Sequence, residues 1–198
     1  VRSSAAGRVV SWSDLASMGP LATVGVSELP RGRVLDQKTG NQVGAVDYVY
    51  ATHACYVAVD PVSGQTRVLR YVAAQDLGYV HDLEVVRGQL YGGTVMGIAQ
   101  TLGEHLDAHN GSVGVSGLHD YLVPTSLDAP EAIVLEILES GTGLGPRGAK
   151  GVGEIGAVAA PLAIANALFD ATGWQPTAIP VPPMELAKRF EQKEYRDG

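Results

Sequence analysis

The chain has 198 residues with a formal net charge of −7, and 45% of its residues are hydrophobic. This length suits one compact domain, or one and a half at most. An acidic balance without a run of lysine or arginine argues against binding to a nucleic-acid backbone, which needs a basic face. The single cysteine, Cys55, excludes an internal disulfide and an iron–sulfur cluster, which takes about four thiolates. We therefore expect a cytoplasmic protein without a nucleic-acid partner.

Glycine accounts for 25 of the 198 residues, nearly double the usual share of about 7%. No collagen-like period or low-complexity tract accompanies it, so the glycines predict ordered turns and loops that expose the backbone. So many glycine-rich connectors would leave an isolated chain loosely packed, and we expect another polypeptide to cover part of it. No stretch reaches 18 consecutive apolar residues and the first residues lack an apolar core, so we expect neither a membrane span nor a secretory signal.

The N-terminal part of the chain, residues 1–47, is the least informative. Short apolar runs alternate there with glycine and proline, and Ser13 and Asp14 could cap a single helical turn. We interpret this part as an N-terminal extension or as the completion of an upstream domain. Residues 48–198 form the second part, in which the patterns are clearer.

The predicted elements of the second part begin with a β-hairpin over 49–60 and 66–76, because both runs are rich in β-branched and aromatic residues and flank a Pro/Gly turn. After a loop at 78–88, apolar residues at spacings of three and four predict a helix over 91–106, opened by Gly92 and Gly93. Residues 109–130 read as a loop with a short extended piece at 121–123.

The C-terminal third is predicted to hold a strand at 132–139, a glycine-rich loop at 141–154 and a helix at 157–171. Gly173 stands where a helix C-cap glycine is expected. A last short helix should cover 184–190. Without a strict βαβ rhythm, this order favours an α+β fold: a mixed sheet with helices packed on it.

The loop 141–154 is the most informative stretch for chemistry. Its glycines let a ligand approach backbone N–H groups, and the helix that follows favours an anionic ligand. Its spacing matches neither the P-loop nor the dinucleotide fingerprint. Glu154, at the junction of loop and helix, has two interpretations: a carboxylate stabilised by the helix dipole, or a general base held beside a ligand.

Other candidate sites favour structural interpretations. Glycine pairs such as Gly92-Gly93 more often let elements pack closely than bind an anion. His105 and His109 have a spacing of four, but without the glutamate of a zinc motif they are better interpreted as a solvated pair. His53 and His81 are expected to be hydrogen-bonded structural residues.

Several stretches, in this order, resemble one known family. Residues 57–61 and 68–78 (VAVDP and VLRYVAAQDLG) resemble the hairpin of the molybdenum hydroxylases, the xanthine dehydrogenase and aldehyde oxidase superfamily. Residues 88–97 (GQLYGGTVMG) resemble its G-Q-x-x-G-G-x-x-x-G helix. Residues 148–154 (GAKGVGE) and 163–173 (AIANALFDATG) are similar to its G-x-K-G-x-G-E loop and to the helix after it.

This resemblance runs from about residue 48 to the end and implies the C-terminal molybdopterin-binding domain of the large subunit. Family members oxidise aldehydes or nitrogen heterocycles with oxygen from water, at a molybdenum–pterin cofactor in the molybdopterin or cytosine dinucleotide form. The resemblance also implies FAD and [2Fe-2S] on partner chains or domains. The expected partners are the remainder of the molybdenum-binding subunit, the iron–sulfur and flavin subunits, and a small-molecule substrate.

The resemblance implies roles for ten residues of this chain. Glu154 would be the catalytic base that takes a proton from the water-derived hydroxyl. The main chain of the loop would approach the metal's ligands, and the glycines of the 88–97 helix would line the pterin. The implied cofactor-binding residues are Gly92, Gly93, Thr94, Met96, Gly97, Lys150, Gly151, Val152 and Gly153.

Met96 is a departure from the family pattern, because many relatives have glutamine there and a thioether cannot donate a hydrogen bond. This residue favours the alternative interpretation, a non-catalytic structural or binding module that has the family fold and no cofactor.

Overall fold

A computed structural model of the chain describes residues 9–20, 22–28, 38–40, 46–118 and 120–197, with the side chains of 192–197 left out. The chain divides into two units, residues 1–44 and 45–198. In the first unit, α1 (Trp12–Ser17) is capped by Ser11, whose side chain accepts from the N–H of Asp14 at 3.0 Å. The Asp14 carboxylate completes the cap by accepting from the N–H of Ser11 at 3.3 Å, so the predicted cap is confirmed for Asp14 and wrong for Ser13, whose place Ser11 takes. Other predictions for residues 1–8, 29–37 and 41–45 lie outside the described residues.

The second unit is built on the predicted hairpin. Strands β1 (Tyr50–Val59) and β2 (Thr66–Asp76) pair antiparallel. The turn between them is closed by Asp60, whose carboxylate accepts from the N–H groups of Val62 (2.8 Å) and Ser63 (2.9 Å). The hairpin prediction is confirmed to within one residue at each end.

The sheet is mixed, as the sequence predicted. Strand β5 (Ala132–Leu138) pairs parallel with β2, so the strand order is β1-β2-β5. Between them in sequence, β3 (Ala108–His109) and β4 (Ser112–Val113) form a separate small hairpin. These two strands were not predicted, and the extended piece expected at 121–123 is a turn instead.

Helix α2 (Leu83–Leu102) is longer at its start than predicted. The side chain of Asp82 caps it by accepting from the N–H groups of Glu84 and Val85, so residues taken for a loop are helical. Gly92 and Gly93 lie inside the helix rather than opening it. The helix also ends earlier than expected, and Leu106 lies outside it with 56% of its surface exposed.

The predicted helix 157–171 is two helices, α3 (Ile155–Val158) and α4 (Ala160–Thr172), because Pro161 in the first turn of α4 supplies no N–H to continue the ladder. Gly173 caps α4 in the left-handed conformation, as predicted (φ +72°). Helix α5 (Pro183–Asp197) is longer than the expected 184–190.

The core lies between one face of the sheet and the helices. Its larger part joins β2 and the helices α2, α4 and α5; its buried members include Tyr71, Ile98, Ile164, Leu168 and Leu186. A smaller cluster of Leu77, Val86 and Leu90 lies beneath the end of β2. The opposite face of the sheet is open and partly apolar, with Tyr50, Tyr56, Val72, Val134 and Leu138 exposed.

One stretch of the described residues, Ile155–Thr172, is long and apolar enough to cross a membrane, with a mean hydropathy of 1.5. A core helix of a soluble protein meets the same criterion, so a single stretch of this kind is weak evidence. Here it is divided into α3 and α4, and residues of α4 belong to the core. The absence of a membrane partner stays a prediction.

Candidate active site

The site is centred on a four-residue ribbon, Gly151 to Glu154, that connects the glycine-rich loop to α3. The N–H groups of these four residues have no hydrogen-bond partner within the described part of the chain. Val152 is half-buried and packs against the cluster of Leu77, Val86 and Leu90. Added Cβ atoms at Gly151 and Gly153 would meet nothing within 4 Å. The ribbon is thus held by one apolar side chain and offers open backbone on either side of it.

Glu154 ends the ribbon as the N-cap residue of α3. Its carbonyl oxygen accepts from the N–H of Ala157 at 3.0 Å, which fixes the main chain at this point. Its side chain is exposed, does not cap the helix, and makes no hydrogen bond or ion pair with any described residue. The carboxylate is therefore free to interact with a group that this chain does not supply.

The first half of the glycine-rich loop differs from the ribbon, because it packs tightly on itself. The N–H of Gly143 donates to the carbonyl of Gly148 at 2.9 Å, and that of Gly145 to the carbonyl of Ala149 at 3.0 Å. A Cβ atom at Gly148 would overlap the carbonyl oxygen of Gly141. These glycines are explained by backbone packing, whereas Gly151 and Gly153 have no such explanation.

Lys150 precedes the ribbon and points inward. Its Nζ lies 2.8 Å from Oδ2 of Asp76, and its side chain is only 3% exposed. Its ammonium also lies 5.2 Å from the centre of the Tyr50 ring. The Lys150 ammonium, with hydrogen bonds from Ser140 and Gly78, holds the pKa of Asp76 well below its usual range. Contact between Lys150 and a cofactor stays a prediction; its ammonium already has a partner.

The five predicted site residues on α2 lie on different faces of that helix. Gly92 and Met96 are exposed, whereas Gly93, Thr94 and Gly97 are buried. The buried glycines explain how closely the helices approach, which was the packing interpretation of the glycine pair. A Cβ at Gly93 would lie 3.1 Å from Cα of Gly156 in α3, and one at Gly97 would lie 2.6 Å from Cβ of Ala160 in α4.

These contacts bring α2 next to the ribbon, since Gly156 is two residues from Glu154. Gly92 faces open space, and 53% of the Met96 surface is exposed. The Oγ1 atom of Thr94 is fully buried and has no hydrogen-bond partner in the described part of the chain. The roles of all five residues toward a cofactor stay predictions.

The donor set of this site fits a cofactor that brings its own metal ligands. Four unpaired N–H groups suit anionic oxygen or sulfur atoms, and the adjoining carboxylate suits a proton acceptor. The described residues contain no group of three or more histidine, cysteine, aspartate or glutamate side chains able to hold a metal. A metal at this site would therefore need ligands from a cofactor, as a pterin dithiolene provides.

His53 and His81 are hydrogen-bonded within the fold, as expected. His53 accepts from or donates to Tyr71 (2.8 Å) and Gln75 (2.9 Å), and burial lowers its pKa. His81 contacts the carbonyl of Pro146 at 3.1 Å. His105 is exposed and lies 2.6 Å from Asp107, beyond the end of α2, so it does not share a helix face with His109.

Asp76 is the residue that sequence reasoning missed. It lies within the D-x-G pattern of residues 76–78, which was used only to recognise a hairpin. The informative signal was an acidic residue at the end of a strand together with a lysine inside the glycine-rich loop. A buried lysine of that kind needs a carboxylate partner.

Comparisons with known proteins agree with the resemblance seen in the sequence. A family model described as molybdopterin cofactor-binding domain matches residues 1–130, about two thirds of the chain. A probable xanthine dehydrogenase subunit of Bacillus subtilis is 33% identical over 187 residues, which cover 93% of this chain and 24% of that protein. The nicotine 6-hydroxylase large subunit of Paenarthrobacter nicotinovorans is 35% identical over 120 residues, covering 60% of this chain and 15% of that protein.

The fold also matches solved structures. The aldehyde oxidoreductase of Desulfovibrio gigas superposes with a TM-score of 0.72 and 28% identity, over 81% of this chain and 17% of that one. The chain spans less than a quarter of the length of each of these relatives. Because the family model begins at residue 1, the similarity reaches further toward the N-terminus than the motifs from residue 48 onward indicated.

Proposed function

The chain belongs to the molybdopterin cofactor-binding domain family, and from that membership we propose that it forms part of the molybdenum-binding subunit of an oxidoreductase. The proposed reaction oxidises an aldehyde or a nitrogen heterocycle with oxygen derived from water. When bound, the molybdenum–pterin cofactor, in its molybdopterin or cytosine dinucleotide form, supplies the redox chemistry. The residues proposed to contact it are the ribbon Gly151–Gly153, the exposed Gly92 and Met96 of α2, their neighbours Gly93, Thr94 and Gly97, and Lys150 through its main chain alone.

Glu154 is the proposed general base. The observation that carries this role is that its carboxylate has no partner among the described residues and adjoins four N–H groups that are likewise unpaired there. A carboxylate engaged by lysine or arginine would be a poor proton acceptor, because the cation stabilises the charged form. Glu154 has no such partner among the described residues, and the glycine ribbon lets a bound group approach it closely. In the reaction, one Oε atom of Glu154 accepts the proton of the attacking hydroxyl.

The experiment is Glu154→Gln in the assembled enzyme. Glutamine has the same shape but cannot accept the proton, so turnover should fall by about 10²–10⁴-fold. Folding and molybdenum content should be unchanged, because the Glu154 side chain makes no contact that holds the fold. The control is Glu191→Gln, which changes an exposed carboxylate on α5. Full turnover by the Glu154 variant would refute the assignment.

The proposed partners are the remainder of a molybdenum-binding subunit and chains or domains that carry FAD and [2Fe-2S]. Support comes from the open apolar face of the sheet, since patches of this kind mark contact surfaces. The single cysteine of this chain, where an iron–sulfur cluster takes about four thiolates, also supports separate chains or domains for the redox groups. Co-purification of the tagged chain with flavin and iron at fixed stoichiometry would test this, and a cytoplasmic complex is expected.

A second candidate function is a cofactor-free structural or binding module. Met96 favours it, because its exposed thioether cannot donate a hydrogen bond where many family members have glutamine. Metal analysis of the natively purified complex separates the two candidates. Stoichiometric molybdenum supports the oxidoreductase, and a complex without molybdenum supports the module.

A further inference from the structure

The carboxylate of Asp76 joins three segments at the base of the site. Its Oδ2 atom lies 2.8 Å from Nζ of Lys150, and the two side chains are 18% and 3% exposed. Its Oδ1 atom accepts from the N–H of Gly78 at 3.0 Å and from that of Ser140 at 3.3 Å. One side chain therefore holds together the end of β2, the segment after β5 and the residue that precedes the ribbon.

Lys150 is the last residue before Glu154 with hydrogen bonds of its own. Its N–H donates to the carbonyl of Leu77 at 3.0 Å, and its side chain ends in the ion pair with Asp76. The N–H groups of the ribbon that follows make no hydrogen bond to any residue that the structure describes, and the ribbon contains two glycines, which have more backbone freedom than other residues. The direction in which the ribbon leaves the sheet is thus set by Lys150, while the Val152 side chain packs against the smaller core cluster.

The ion pair is better explained by geometry than by stability. Burying two charges costs solvation energy that their attraction offsets only partly, so an apolar pair of the same volume would stabilise a fold at least as well. A lysine–carboxylate hydrogen bond instead defines the distance between two atoms more narrowly than apolar packing does. The pair occurs at the one end of the ribbon where such precision would determine the position of Glu154.

We infer that Asp76 and Lys150 form a positioning pair that holds the ribbon in register, so that Glu154 reaches the reacting group. This inference rests on the proposed role of Glu154 as the base. Neither residue takes part in the proton transfer. They act through the main chain of residues 150–154, and a displacement of about 1 Å at Glu154 would cost roughly 100-fold in rate.

The test uses the assembled enzyme with Lys150→Met, which keeps an unbranched apolar side chain, one heavy atom shorter, and removes the charge. We expect turnover number to fall about 10–100-fold, with KM within about threefold and molybdenum content equal to wild type. Lys150→Arg retains the charge and should recover most of the lost turnover. Hydrogen exchange at the residue-150 amide should rise at least about tenfold in Lys150→Met, with exchange in α4 unchanged.

A double-mutant comparison then separates this inference from the proposed function. If Lys150 acts through Glu154, adding Lys150→Met to Glu154→Gln should cause no further loss, because residues that act as a unit are not additive. Three results would each overturn the inference. They are a double variant whose loss of turnover is the product of the two single losses, a Lys150→Met turnover within about threefold of wild type, and unchanged hydrogen exchange at the residue-150 amide. Full activity of Glu154→Gln alone would instead overturn the proposed function.

Asp76→Asn provides the second variant if Lys150→Met does not assemble. Asparagine keeps the acceptor for Gly78 and Ser140 and weakens only the contact with Lys150. It should reproduce the loss of turnover with molybdenum retained. If both variants fail to fold or lose the metal, the pair is needed for the fold as a whole, and its assignment as a positioning device is wrong.

Discussion

Replacing Gly78 with alanine should destabilise the chain, because Gly78 lies where the end of β2 meets the glycine-rich loop. Its φ is +68°, a conformation that L-residues with a side chain adopt rarely. A Cβ atom there would overlap the carbonyl oxygen of Gly148 and lie 3.1 Å from Cγ of Lys150. The loop would have to move away from β2 to make room.

The expected size of the effect follows from three contributions. The left-handed conformation costs about 1–2 kcal/mol for a residue with a Cβ. Overpacking against the Gly148 backbone costs about 1–3 kcal/mol. Lower entropy of the unfolded chain offsets about 0.4–1 kcal/mol of this. The free energy of unfolding should therefore fall by about 1–4 kcal/mol, a large part of the 5–15 kcal/mol typical of a domain.

Urea denaturation of the full 198-residue chain measures this difference. With a slope of about 2 kcal/mol per molar urea, the middle of the usual range of about 1–3, the midpoint should drop by roughly 0.5–2 M. Gly151→Ala is the matched control, since its Cβ would meet nothing within 4 Å and its φ is not positive. That variant should lie within about 0.5 kcal/mol of wild type. Equal midpoints for the Gly78 and Gly151 variants would refute the reasoning.

Three further predictions concern α2 and two side chains of β1, Cys55 and His53. Gly92→Ala should stabilise the chain by about 0.5–1 kcal/mol because its site in α2 is open, whereas Gly97→Ala should destabilise it by about 1–3 kcal/mol because the new Cβ would overlap Cβ of Ala160. Urea midpoints that rank the two variants in the reverse order would contradict the helix packing. Burial raises the pKa of the Cys55 thiol from 9.0 to about 11, so a thiol reagent at pH 8 should label the folded chain roughly 100-fold more slowly than the chain in urea. Equal labelling rates would contradict the burial of Cys55. Burial lowers the pKa of His53 from its usual 6.5, so the unfolded chain binds the proton more tightly and the free energy of unfolding should fall as the pH drops below about 6.5. His53→Gln should reduce that pH dependence, and an unchanged pH dependence would exclude His53 as its source.

The sequence predicted local elements best where a periodic pattern is bounded by turn residues. The hairpin and β5 were correct because alternation and the Asp60 turn are short-range signals. The start of α2 was missed because Gly88, Gly92 and Gly93 look like a break, although Asp82 caps the helix before them. Gly93 and Gly97 pack against Gly156 and Ala160, contacts that no local pattern reveals. The break before α4 was missed although Pro161 marks it.

The exposed ribbon of the site could be predicted from the sequence, but the Asp76–Lys150 ion pair that supports it could not. Glycine spacing and the terminal carboxylate identified Gly151–Glu154 as an exposed stretch, and the structure leaves their N–H groups unpaired within its described residues. The inward direction of Lys150 depends on Asp76, which is 74 residues away, and pairings over such distances leave no periodic trace in sequence. Gly92 and Gly93 are adjacent in sequence but lie on different faces of the helix, which only packing determines.

The parallel pairing of β2 with β5 has a consequence for the order of folding. The β1–β2 hairpin is closed by a six-residue connection, whereas Arg70 must find Ala132, 62 residues further along the chain. Closing so long a loop is slow, because much chain entropy is lost before its contacts form. The hairpin should therefore form early and the ribbon acquire its final shape last, so that a ligand added during refolding is captured only in the slowest kinetic phase.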